Sequence, residues 1–156
     1  MARALGIDHG EARIGIALSD GLGLFAQPLE TIHVAETEPL ARIVALVRQH
    51  GVDTVVIGLP LRLNGNEGTA TRKVRGFARE LIPFLPPGVA LVECDERLST
   101  VTAQERLAQS GKKARNQPID QVAAAVILQD YLDAQRGPEL LPNPWDDEDD
   151  EVEGTR

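Results

Sequence analysis

The sequence predicts an α/β domain: a mixed five-stranded sheet in the order βββαβαβαα, with helices on both faces. Three observations carry this. Short apolar runs of strand length stop at acids or glycines. From residue 39 onward they alternate with stretches whose apolar residues recur at helical spacing. And 156 residues suffice to bury one ordinary core. An antiparallel three-strand start followed by right-handed crossovers closes this pattern into a single sheet.

The elements follow in order. Ala4–Asp8 is a short apolar strand that ends in an acid. Arg13–Ser19 (RIGIALS) alternates in part, and Asp20-Gly21 predicts a tight hairpin into a third strand over Leu22–Ile32. Pro28 marks that third run as an edge strand or its end. Residues 39–49 place Leu40, Ile43, Val44 and Val47 on one helical face, with Gly51 just past the end. Thr54–Leu59 (TVVIGL) fits a buried parallel strand. A polar loop with Asn64-Gly65 leads to a helix near 69–82, closed by Pro83, Pro86 and Pro87. Val89–Glu96 is a fifth strand, again ending in acids, and helices follow at about 100–109 and 118–135. The last contains VAAAVIL at 122–128, apolar all round, which predicts burial. This order is the ribonuclease H pattern.

Composition narrows the function classes. Aromatics are only 3% of the chain, so the core is aliphatic and a surface of base-stacking rings is disfavoured. No segment approaches the roughly 20 apolar residues that span a bilayer. The start, MARALGID, enters a strand-like run without a signal-peptide pattern. The single cysteine, Cys94, excludes an intramolecular disulfide and suits a reducing compartment. The expectation is a cytoplasmic protein with no membrane partner. The net charge of −8 is concentrated at one end: seven acids lie in residues 146–156, and the rest holds 17 acids against 15 bases. The expected organisation is therefore one folded, RNase H-like domain over 1–138 and a Pro-rich, then acidic, disordered tail over 139–156.

Three carboxylates stand where chemistry is possible. Asp8 ends the first strand, followed by Gly10 and Arg13-Ile14-Gly15; a carboxylate there faces the crevice where α/β sheets place ligands. The plain alternative is a turn acid. Asp95-Glu96-Arg97-Leu98-Ser99-Thr100 ends the last strand and opens a helix; Ser99 and Thr100 read as caps, Glu96 as functional. Asp120 lies in the first turn of the apolar helix, after Pro118. There it serves either as ordinary helix-start chemistry or as a ligand on a rigid element. Together such acids would bind hard cations, Mg²⁺ or Mn²⁺, and two ions would activate a water against a phosphodiester. His9, His33 and His50 are scattered singly; His9 is placed to line the site. Arg72, Arg75 and Arg79 share a helix face beside Lys73, and Lys112, Lys113 and Arg115 form a second basic cluster before Asp120. Either group is a candidate for phosphate contact or for a solvated face.

DHGEARIGIA near the start, GLPLRLNG at 58–65, DERLST at 95–100 and DQVAAAVIL at 120–128 resemble the successive motifs of the YqgF (RuvX) family. The resemblance spans about residues 3–135. It implies an RNase H-like fold and a metal-dependent nuclease; members are described as Holliday junction resolvases by relation to RuvC and are implicated in maturing the 16S ribosomal RNA end. By position it implies Asp8, Glu96 and Asp120 as catalytic metal ligands, with Asp95 as understudy, and Arg13 and Arg97 as phosphate or carboxylate contacts. Three positions depart from the family pattern. Glu11 replaces a small hydroxylated residue, Gln117-Pro118 stands where relatives often carry a lysine, and the fourth strand lacks the acid of RuvC-type enzymes.

Two rivals remain at this level. An actin-like or sugar-kinase ATPase also opens with Gly-Ile-Asp-x-Gly, but needs a second domain that 156 residues cannot supply. A non-catalytic module that binds RNA or a ribosomal or transcription partner fits the near-neutral core and the acidic tail. The expected partner is nucleic acid, either structured or single-stranded RNA or branched DNA. One copy suffices for an RNA end, and a homodimer would suit a symmetric junction.

Overall fold

The computed structural model describes residues 3–60, 68–95 and 119–136. Its elements are β1 (Arg3–His9), β2 (Arg13–Ser19), β3 (Ala26–His33), α1 (Pro39–His50), β4 (Val52–Leu59), α2 (Thr69–Leu81), β5 (Ala90–Asp95) and α3 (Ile119–Arg136). A single 3-10 turn, Ile82–Phe84, follows α2 where Pro83 stops the helix. The expected helix at 100–109 and the tail at 139–156 lie outside the described residues.

The strands form one sheet in the order β3-β2-β1-β4-β5. β1 pairs antiparallel with β2 and parallel with β4, and β4 pairs parallel with β5. Alternation along the strands sorts two cores onto opposite faces. Leu5, Ile7, Ile14, Ile16, Val55 and Ile57 pack with Ile43, Leu46 and Val47 of α1 and with Val74, Phe77 and Leu81 of α2. Ala4, Ala17, Ala26 and Val56 meet Ala124, Ala125, Ile127, Leu128 and Leu132 of α3. Helices thus cover both faces, as expected.

The two faces differ in residue size, and this sets how closely each helix approaches. The α1–α2 face is built from large aliphatics. The α3 face is built from alanine and glycine, so α3 lies almost on the backbone of the sheet. A Cβ on Gly6 would come within 2.8 Å of Leu128 Cβ and 2.9 Å of the Ala124 carbonyl oxygen.

Local signals explain the helix ends. Glu38 caps α1 by accepting from the Leu40 amide at 3.0 Å, Pro39 opens it, and Gly51 closes it with φ 64°. The third strand corrects an expectation. It begins at Ala26, not Leu22, and Asp20-Gly21 does not form a two-residue hairpin. The connection runs through residues 20–25, where the Asp20 carboxylate accepts from the Leu24 amide at 2.8 Å and Gly23 takes φ 71°. Leu22, Leu24 and Phe25, which had suggested a strand, are solvent-exposed. The buried Gln129 of α3 holds the end of this loop: its Oε1 accepts from the Ala26 amide at 2.9 Å and its Nε2 donates to the Leu24 carbonyl at 2.9 Å. Pro28 lies on the edge strand, beside a register shift between Ile16 and Ala17 of its partner.

Candidate active site

Asp8 is the second-last residue of β1, and the pleat places it on the α3 face, in line with Ala4 and Gly6. Directly across the antiparallel pair stands Gly15 of β2. Above Gly15 lies the first turn of α3: a Cβ at position 15 would fall 1.8 Å from the Asp120 carbonyl oxygen and 3.0 Å from the Gln121 nitrogen. Gly15 therefore joins the two acids, as cross-strand neighbour of Asp8 and as the surface on which Asp120 rests. Arg13, two residues before Gly15 and on the same face, reaches Asp120 with Nε 3.2 Å from Oδ2. The Asp120 side chain is 22% exposed and that of Arg13 is 58% exposed, so the pair sits at the rim of the site.

His9, the next residue along β1, turns to the opposite face. Its ring packs on Phe77 of α2, with centroids 4.6 Å apart. Burial pushes its pKa below the ordinary histidine value, against the opposing pull of Glu11 and Glu80. His9 lines a cleft of about 370 Å³ together with Glu11, Pro60, Thr69 and Lys73.

Asp95 closes β5 opposite Leu59 of β4. On β5, Cys94 belongs to the α3 face, with Sγ 4.0 Å from Asp130 Oδ2, while Leu91 packs on the other core and Glu93 pairs with Arg75 of α2 at 3.4 Å. The same alternation puts Asp95 on the α1–α2 face, away from Asp8 and Asp120. Glu96 and Arg97 lie outside the described residues. Among the described residues, no group of three or more His, Cys, Asp or Glu side chains comes together as a metal centre.

A family model described as RuvX, Holliday junction resolvase, matches residues 2–134. The chain belongs to this family. A Syntrophus aciditrophicus protein named as a candidate pre-16S rRNA nuclease is 47% identical over 135 residues, covering 85% of this chain and 89% of its own. A Myxococcus xanthus protein of the same name is 43% identical over 152 residues, covering 96% and 99%. Among solved structures, T. thermophilus RuvC in complex with Holliday junction substrate matches with a TM-score of 0.63 at 16% identity, covering 88% of this chain and 97% of its own. That likeness is one of fold, and it bears out the RNase H-like arrangement.

In this RuvX-family chain the basic residues fall on different sides of the sheet. Arg72, Arg75 and Arg79 ride on α2, on the face opposite α3; Arg72 and Arg79 are exposed, whereas Arg75 is half-buried against Glu93. Lys73 is ion-paired with Glu11. Lys112, Lys113 and Arg115 lie outside the described residues. Two features of the RuvX-family site escaped sequence reasoning. The bridging role of Gly15 had a signal, since a glycine inside an alternating strand marks close backbone approach. The Glu11–Lys73 pair had none, because its partners come from separate elements far apart in the chain.

Proposed function

We propose that this protein is a divalent-metal-dependent nuclease that hydrolyses phosphodiester bonds in maturing the pre-16S ribosomal RNA end. The single observation that carries the reading is Gly15, which brings Asp8 and Asp120 from opposite ends of the chain to one face of the sheet. The names of the Syntrophus and Myxococcus relatives point to the RNA substrate. The family description and the RuvC fold keep a second reading, resolution of four-way DNA junctions, which would use a homodimer where RNA processing needs one copy.

The donor set suits Mg²⁺ or Mn²⁺. Asp8 and Asp120 offer hard oxygen ligands at the carboxyl edge of the sheet, and Asp120 already draws the cationic Arg13. Glu96, the residue after Asp95 in the DERLST motif, completes the proposed set, because Asp95 itself shares the face of Leu91 and Glu93 toward α1 and α2. Asp95 is thus the weaker candidate, and Arg13 and Arg97 are proposed to steady phosphate or carboxylate oxygens. Bound there, the metal would polarise the phosphodiester and activate the attacking water. Arg13 meanwhile holds Asp120 in place and offers its remaining donors to a phosphate. No described helix is long and apolar enough to cross a membrane, and cytoplasmic work on nucleic acid is part of the proposal.

The test offers the full chain a labelled 16S precursor fragment, single-stranded RNA and a four-way DNA junction, each with Mn²⁺, Mg²⁺ or chelator. Metal-dependent cleavage that is lost in Asp8→Asn supports the nuclease, and the preferred substrate separates the two readings. Intact RNA binding without cleavage of any substrate would instead establish a binding module.

A further inference from the structure

The cleft beside His9 is separate from the carboxylates, because the pleat turns it to the α2 side of the sheet. It opens at the same carboxyl edge, one residue beyond Asp8, between the ends of β1 and β4 and the start of α2. Four features converge on it. Lys73 supplies a cation. The N-terminus of α2, a helix of 13 residues, receives no side-chain cap among the described residues, and Thr69 of its first turn lines the cleft. His9 presents an imidazole fixed against Phe77, with ring centroids 4.6 Å apart. Thr71, fully buried, donates to the Pro60 carbonyl at 2.9 Å and so fixes α2 to the end of β4.

A carboxylate is already in this cleft. Glu11, on the β1–β2 turn, accepts from Lys73 Nζ, which holds the Glu11 carboxyl below its ordinary pKa. Glu11 is fully exposed to solvent and Lys73 is half-exposed, so the contact can open without disturbing the core.

From these features we infer that the cleft is a subsite for a backbone phosphate of the nucleic-acid substrate, in which Glu11 occupies the anion position until the phosphate displaces it. The inference rests on the nuclease reading for its substrate class. A strand crossing the carboxyl edge of the sheet meets Asp8 and Asp120 on one side and the Lys73 cleft on the other. Lys73 then grips the strand away from the reacting phosphate, and the Glu11–Lys73 pair lowers the affinity for any anion too weak to break it.

The test is RNA binding, measured in chelator by fluorescence anisotropy with a labelled single-stranded RNA, across a salt series and with inorganic phosphate as competitor. The proteins are the full chain, Glu11→Gln, Lys73→Gln and the double variant. Glu11→Gln is expected to tighten RNA binding about threefold to tenfold and to steepen the salt dependence by about one released counterion. Adding Lys73→Gln should cancel both gains. Millimolar phosphate should compete more strongly with Glu11→Gln than with the double variant if the cleft recognises the phosphate group itself. The inference is overturned if Glu11→Gln leaves affinity and salt slope unchanged, or if its gain survives Lys73→Gln. Because binding is read without metal, loss of the nuclease reading and loss of this subsite are separate results: cleavage by wild type with no Glu11 effect removes only the subsite.

Discussion

The carbonyl oxygen of Asp120 occupies the space where a side chain at position 15 would begin, 1.8 Å from a Cβ built on Gly15. The obstacle is backbone, which cannot rotate aside as a flexible side chain would. Gly15→Ala must therefore push the first turn of α3 off β2. We expect a loss at or above the upper end of the ~1–3 kcal/mol typical of overpacked sites, measured by urea unfolding. Cleavage should fall more than stability does, because Asp120 moves with that turn. A variant that unfolds at the wild-type midpoint would show that α3 docks elsewhere.

Metal should be visible as stability. If Asp8 and Asp120 hold the cation, Mn²⁺ at about 100 times its dissociation constant raises unfolding free energy by about 2.7 kcal/mol over chelator. In Asp120→Asn that increment should largely vanish. The metal-free protein should lose no more than about 1 kcal/mol with its exposed Arg13 contact. An equal Mn²⁺ increment in both proteins would place the cation elsewhere.

Gln129 is fully buried and satisfies backbone groups at both the Leu24 and Ala26 positions. Gln129→Leu keeps similar bulk but removes the acceptor of the Ala26 amide and the donor to the Leu24 carbonyl, at about 1–3 kcal/mol for a group that water cannot reach. Hydrogen exchange should quicken at Ala26 while amides in the middle of β1 stay protected.

Acid should weaken the link between β3 and α1. Arg42 donates from Nε and Nη2 to the two Glu30 oxygens at 2.7 and 2.6 Å, and this holds the Glu30 carboxyl below its usual 4.5. With the folded pKa depressed, the contribution is present above pH 4.5 and is lost as pH falls through the folded value. Both side chains are partly exposed, so the contribution is no more than about 1 kcal/mol. Unfolding of Arg42→Met should fall less steeply between pH 6 and pH 3 than that of wild type, and parallel curves would show that the pair contributes nothing.

Element order and the two-faced architecture were legible because long elements carry strong periodicity: RIGIALS and TVVIGL bury the residues their pattern marks, and VAAAVIL buries Ala124, Ala125, Ile127 and Leu128 while Val122, Ala123 and Val126 stay half-buried. The start of β3 was not. Leu22, Leu24 and Phe25 look like strand residues, but the Asp20 side chain and the αL glycine at 23 fold them into a loop that Gln129 pins from across the molecule. At the site, Asp8 and Asp120 were legible as acids at element ends. Their juxtaposition was not, because it depends on helix–sheet distance, which a missing side chain sets. The paired residues Asp95 and Glu96 were equivalent by composition; only the orientation of Cys94 and Glu93 tells the faces of β5 apart. The basic row on α2 was legible as a row, but its side of the sheet required the packing of Val74 and Phe77.

Asp8 lies in β1, the first strand, and Asp120 lies in α3, the last described helix. A chain still being synthesised therefore carries one carboxylate long before the other exists, with β1 also waiting for β4 to emerge before its parallel edge is covered. Assembly of the acidic face thus waits until α3 has been made. An unfinished copy that lacks α3 has Asp8 in place but no Asp120 beside Gly15, so the face proposed for catalysis is incomplete in it.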